Sequence, residues 1–147
     1  LALADGLHHQ LVGGGVAHGP RNDRNYFRKI NKSMKRQALY IALSKKLKDG
    51  EVLLLNGIAM PNIKTKGAKE VLMNLAKLKG FGALKKSKNA ACILIPAPDT
   101  HVEKSFRNFP HVSVGQVKSL NLLDVLTYKY LIIANPEESI KSLTRNG

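Results

Sequence analysis

The chain has 147 residues, enough for one ordinary domain with a self-supporting core. Hydrophobic residues make up 44% of it, which excludes wholesale disorder, and no stretch reaches the roughly 18 uninterrupted apolar residues of a membrane span. Lys and Arg number 24 against 10 Asp and Glu, a formal charge of +14; a folded domain so charged repels itself unless a polyanion compensates, and nucleic acid is the commonest such partner.

Residues 1–30 are expected to form a basic, glycine-rich, extended arm, and 31–147 a single domain. Leu1 to Val12 has the apolar content of a short helix, and no charged-then-apolar stretch resembles a secretion signal. Gly13-Gly14-Gly15 ends any regular element. Val16-Ala17-His18-Gly19-Pro20 reads as extended chain, because Pro disfavours helix just before it. Residues 21–30 then mix Arg21, Arg24, Arg28 and Lys29 with Tyr26 and Phe27, without periodicity.

Asn31 is placed to cap a helix. Met34, Ala38, Ile41 and Ala42 recur at helical spacing, Leu39, Leu43 and Leu47 widen the apolar face, and Gly50 marks the stop. Glu51 to Leu55 reads as a short strand of the kind buried on both faces of a parallel sheet. The alternation then repeats. Thr65 is a candidate cap for a helix with Ala68, Val71, Leu72, Leu75 and Leu78 on one face, closed by Gly80. A loop is expected at Lys85-Lys86-Ser87-Lys88. A buried strand follows at 90–95, a short helix at 99–107, a weaker strand at 111–117 and a helix at 120–126. A fourth strand spans 130–134, and the last helix spans 136–143 with Pro136 in its first turn. Strands alternating with helices predict an α/β fold: a parallel sheet flanked by helices in three layers.

The chemistry concentrates early. From Arg21 to Lys48 the only acid is Asp23. Lys32, Lys35 and Arg36 share a helix side, expected to face away from Ala38 and Ile41. Cations in a row at reachable spacing suit phosphates, each contact releasing counterions. Tyr26 and Phe27 have the flat faces on which unpaired bases stack, with Arg21, Arg24 and Arg28 around them. A solvated helix face is the competing reading, and the shortage of balancing acids argues against it. Gly13, Gly14, Gly15 and Gly19 lack the Lys-Ser/Thr ending of a P-loop, but suit backbone lying close along an RNA groove.

Other chemistry finds little support. Ser44, Ser105 and Ser119 stand in no nucleophile-elbow context, so no catalytic residue is expected. The lone Cys92, in an apolar run, reads as core and excludes an internal disulfide or thiolate zinc cage. His8 and His9 are adjacent and no His-x-x-x-His pair exists, so no metal and no cofactor is expected. Asp49 with Glu51, and Glu137 with Glu138, have structural explanations at a turn and at a helix start. A small α/β nucleotide-binding domain or enzyme with an incidental basic surface is the alternative. It would need a polar, glycine-bearing loop after a strand, and neither 56–60 nor 96–99 resembles one.

One segment after another resembles a known family. Gly13 to Pro20 is similar to the "GGGVxxGP" stretch of the fourth protein of the large ribosomal subunit. Lys29 to Leu39 with Ala42-Leu43-Ser44 resembles the basic helix that follows it. Pro61 to Lys66 is similar to that family's "P-K-T-K", Arg107-Asn108-Phe109-Pro110 to "R-N-L-P", and Leu120 to Leu126 to "L-N-V-Y-D-L-L". The resemblance covers about residues 13–147 and implies a Rossmann-like sheet without nucleotide chemistry. It also implies a structural role in the large subunit, early binding to its ribosomal RNA, neighbouring ribosomal proteins as partners, and a ribosome of bacterial or organellar type. Neither a membrane nor a small-molecule substrate is expected. The RNA-binding residues would be Gly13, Gly14, Gly15, His18, Gly19, Pro20, Arg21, Arg24, Tyr26, Phe27, Arg28, Lys29, Lys32, Lys35 and Arg36. Some family members also repress their own messenger. Members carry a strand, a helix and a long basic tunnel loop before the glycine stretch, where here only twelve residues precede Gly13. A tunnel-lining role is therefore not carried over.

Overall fold

The computed structural model describes residues 22–85 and 88–145. The chain divides into two units, 1–30 and 31–147. The expected helix at Leu1–Val12 and the glycine stretch lie outside the described residues, as does most of the predicted lysine-rich loop's centre, residues 86 and 87. In the first unit, residues 24–30 are exposed and carry no regular secondary structure.

The second unit runs α1 (Lys32–Lys48), β1 (Val52–Leu55), α2 (Thr65–Leu75), β2 (Ala91–Ile95), α3 (Thr100–Phe106), β3 (Val112–Gln116), α4 (Leu122–Thr127), β4 (Tyr130–Ala134) and α5 (Pro136–Arg145), with 3-10 turns at Gly82–Lys85 and Val117–Ser119. The strands form one all-parallel sheet in the order β1-β4-β2-β3. This is the α/β architecture that the alternating pattern predicts.

The two-residue period of the strands divides the core into two layers. On one face Ile93, Ile95, Ile132 and Ala134 pack with Ala68, Leu72 and Leu75 of α2 and with Val102 and Phe106 of α3. On the other, Cys92, Leu94, Leu131 and Ile133 pack with Val117, Leu43 of α1 and Leu143 of α5. Each fully buried branched side chain contributes roughly 1.5–3 kcal/mol, so β2 and β4, buried along their whole length, hold the fold. Tyr130 brings a polar atom into this core and satisfies it: its hydroxyl donates to the Gly80 carbonyl at 2.7 Å, and its ring lies 4.9 Å from that of Phe81. Gly80 and Gly50 both take positive φ, 92° and 69°, at the turns after α2 and α1 where a side chain would be strained.

Several local expectations need correction. β1 is not buried on both faces: it is an edge strand, and Leu54 is 52% exposed, because only β4 flanks it. Asn31 occupies the N-cap of α1 but its side chain makes no capping bond. Thr65 is the first residue of α2 rather than its cap, which is Lys64. α2 also ends before Leu78, which is exposed. Lys85 belongs to a 3-10 turn.

α1 departs most. Met34 and Ile41, expected on its packed face, are 60% and 62% exposed. The packed stripe instead runs through Ala38, Leu39, Ala42, Leu43 and Lys46. Lys46 closes it: its ammonium lies 2.8 Å from Glu51 Oε2 and donates to the Lys129 carbonyl at 2.7 Å, joining α1 to the entries of both β1 and β4. A lysine is tolerated there because its charge is paired and its donors are used. Lys45 pairs with Asp49 at 3.0 Å across one exposed turn. The acids at 49 and 51 thus hold the helix-to-strand turn together.

Candidate nucleic-acid interface

The described part of the arm is small and self-organised. Asn25 Oδ1 accepts from the Phe27 N–H at 2.8 Å, a local turn that sets the backbone between them. The Arg24 guanidinium lies 5.1 Å from the centre of the Tyr26 ring. Tyr26 and Phe27 are 74% and 85% exposed, and Arg28 and Lys29 are exposed beside them in sequence. Two bare aromatic faces among cations have no role in a core.

α1 begins in a way that runs against its own electrostatics. A helix N-terminus has partial positive charge and unsatisfied N–H groups, and prefers acids and a capping oxygen. Here the first turn has no acid and Asn31 supplies no side-chain cap, while Lys32 and Lys35 stand in the opening residues. Residues 31–37 are all exposed. The arrangement suits an anion approaching from outside the chain.

Lys32, Lys35 and Arg36 are exposed and line one cleft with Leu39, so that this side of α1 turns from apolar to cationic as the helix runs back towards its start. There they meet a second wall. Val117, Lys118, Leu120 and Asn121, in the turn between β3 and α4, and Leu122 at the start of α4 face them across a cleft of about 500 Å³ floored by Leu39 and Leu143 and flanked by Tyr40. Its rim carries Lys32, Lys35, Arg36 and Lys118, and none of its lining residues is acidic. The Asn121 side chain caps α4 by accepting from the Asp124 N–H at 3.1 Å, which fixes the second wall. Lys118, Asn121 and Tyr40 were not among the expected site residues. The predicted strand over 111–117 conceals the turn that presents Lys118, and nothing in the local pattern pairs residue 118 with residue 36.

Of the expected residues, the structure therefore describes Arg24, Tyr26, Phe27, Arg28 and Lys29 in the first unit, and Lys32, Lys35 and Arg36 in the second. Gly13, Gly14, Gly15, His18, Gly19, Pro20 and Arg21 lie outside the described residues.

The place where an α/β enzyme binds its ligand is built differently. α3 follows β2 onto one face of the sheet and α5 follows β4 onto the other, which makes the crevice beyond these neighbouring strands the customary ligand site of such folds. That crevice, about 510 Å³, is lined by Pro96, Pro98, Asp99, His101, Asn135 and Glu138 among others. Prolines offer no N–H, Asp99 Oδ1 already accepts from the His101 N–H at 2.8 Å, and Glu138 adds a second carboxylate. A phosphate there would meet two carboxylates and no Lys or Arg. Among the described residues no group of His, Cys, Asp and Glu has the arrangement of a metal site. Cys92 is buried, and burial, aided by the charge of Asp124, pushes its thiol up to about 12, far from the reactive range.

Comparison with known proteins identifies the family. Residues 8–146 match the model of the ribosomal protein L4/L1 family. The large ribosomal subunit protein uL4 of Campylobacter concisus is 35% identical over 136 residues, covering 92% of this chain and 60% of the relative. That of Natranaerobius thermophilus is 36% identical over 129 residues, covering 88% of this chain and 57% of the relative. A third, from Helicobacter hepaticus, is 35% identical over 123 residues, with 84% and 54% covered. The chain thus spans a little over half the length of these relatives. With a match across nearly all its residues, the chain belongs to the ribosomal protein L4/L1 family.

Proposed function

We propose that the chain is a structural, non-catalytic component of the large ribosomal subunit that binds large-subunit ribosomal RNA and supports the assembly of the particle. The observation that carries this reading is the exposed run from Arg24 to Arg36, which contains Arg24, Arg28, Lys29, Lys32, Lys35 and Arg36 and no acid. Their repulsion is relieved by phosphates, and the uncapped start of α1 gains an anion by the same contact. Tyr26 and Phe27 stack on unpaired bases, and Gly13 to Pro20 with Arg21 thread along the RNA surface. The names of the relatives place those proteins in the large subunit, which supports the same partner here, together with neighbouring ribosomal proteins and a ribosomal location.

Binding of the full chain to large-subunit ribosomal RNA is expected to weaken by orders of magnitude between about 50 and 200 mM salt. The triple variant Arg28→Glu, Lys32→Glu, Arg36→Glu is expected to lose RNA binding and incorporation into large particles while its circular dichroism and thermal unfolding stay unchanged. Normal incorporation of that variant overturns the proposal.

A further inference from the structure

We propose that the cleft between α1 and the β3–α4 turn holds a single, unpaired RNA segment, with its phosphates on Lys32, Lys35, Arg36 and Lys118 and one base on the apolar floor beside Tyr40. The inference rests on the RNA-binding reading above and adds to it a second wall from a distant part of the chain and a particular form of RNA.

Two features select the occupant. The first is charge. Four cations rim a cleft whose lining contains no acid, so an acidic polymer is matched at every charged position. An apolar protein segment would leave all four uncompensated as water was displaced. The second is shape. A duplex offers phosphates along a broad rounded surface and keeps its bases stacked inside, so it has nothing to place in a recess. A single strand splays its bases out, and those bases seek aromatic and apolar surfaces between basic walls. The cleft, about 500 Å³ and floored by Leu39 and Leu143, gives such a surface, and Tyr40 stands exposed at its side. Asn121 adds a donor. Its carboxamide oxygen is engaged by the Asp124 N–H, so its amide nitrogen is the group directed by elimination to hydrogen bonding with a ligand.

The cations are also placed beside apolar surface: Lys32, Lys35 and Arg36 line the same cleft as the half-buried Leu39.

The test uses the full chain and large-subunit ribosomal RNA containing 4-thiouridine. Photocrosslinks are expected on both walls, within 32–40 and within 117–122. Lys118→Gln should flatten the dependence of log affinity on log salt by about one. Tyr40→Ala should weaken binding about five- to 150-fold, with Tyr40→Phe restoring it. If Lys118→Gln and Tyr40→Ala bind like the native chain and residues 117–122 take no crosslink, while the Arg28, Lys32, Arg36 reversal abolishes binding, the cleft is refuted and the broader RNA reading stands. If that reversal also binds normally, both fall. Crosslinks from 117–122 to another protein within assembled particles would overturn the proposal in favour of a protein occupant. Unchanged thermal unfolding of Lys118→Gln, a substitution at an exposed position, separates all of these outcomes from loss of fold.

Discussion

Strand β4 is buried along its whole length, while residues 32–37 at the start of α1 are exposed along theirs. The strand consists of apolar side chains whose transfer from water the fold itself supplies, so its stability is internal. The helix start carries cations, no cap and no first-turn acid, and in the proposed reading phosphates balance it.

The sharpest way to break this contrast is to cut the core. Ile132→Ala, at a fully buried position between the two flanking strands, is expected to cost about 2–5 kcal/mol in chemical denaturation. RNA binding should persist below the shifted unfolding transition. A loss of affinity in variant that is still folded would show that core and interface are not separate.

Lys46 sits where the two regions join. Lys46→Ala leaves Glu51 and the Lys129 carbonyl without their partner, with an expected cost of about 1–3 kcal/mol. The partial exposure of Glu51 keeps the value towards the lower end. If Lys46 were instead a phosphate contact, its removal would change the salt slope of RNA binding; no change is expected.

Cys92 sharpens the comparison through pH. Its folded thiol is raised from 9.0 to about 12 by burial first and by Asp124 second. A group whose native pKa lies above its unfolded one contributes fully below the unfolded value and loses that contribution as pH climbs towards the native value. Stability is therefore expected to decline between about pH 9 and 12 more in the native chain than in Cys92→Ala, and to show no such difference at pH 7. At pH 8 the thiol should react with a maleimide only after denaturant is added.

The smallest expected effects are at two contrasting sites. Lys35→Ala, on the exposed start of α1, should change stability by less than about 0.5 kcal/mol while lowering the salt slope of RNA binding by about one. Ser105→Ala removes a hydroxyl that is fully buried without a hydrogen-bond partner; it should be neutral or slightly stabilising in thermal denaturation and leave RNA binding unchanged.

The sequence makes the sheet legible because its cause is local. Ala91 to Ile95 and Tyr130 to Ala134 are uninterrupted apolar runs between turn residues, and only a strand covered on both faces wants them. β1 has the same composition, but its place at the edge is decided by strand order, which no single run encodes. The apolar face of α1 is misjudged for a related reason. Met34 and Ile41 fit helical spacing as well as Leu39 and Leu43 do, and what chooses between the stripes is Lys46, whose partners Glu51 and Lys129 lie on two different strand entries. Its polar head hides the stripe that its stem extends. The cationic half of the candidate interface is readable from the missing acids. Its second wall is not, because Lys118 is an ordinary lysine until the fold sets it opposite Arg36.

The strand order has a consequence for how the molecule comes into being. β4 lies between β1 and β2 although it is the last of the four to leave the ribosome that makes it. Until it emerges, β1 has no neighbour to pair with, and one edge of β2 stays open. The nascent polypeptide must therefore keep the 74 residues between Leu55 and Tyr130 as half-finished, apolar framework in solution, long after the basic residues proposed to bind a polyanion are free. Delayed closure of this kind makes folding slow and exposed to aggregation. An early grip on the polyanion would tether the unfinished remainder away from other copies of itself.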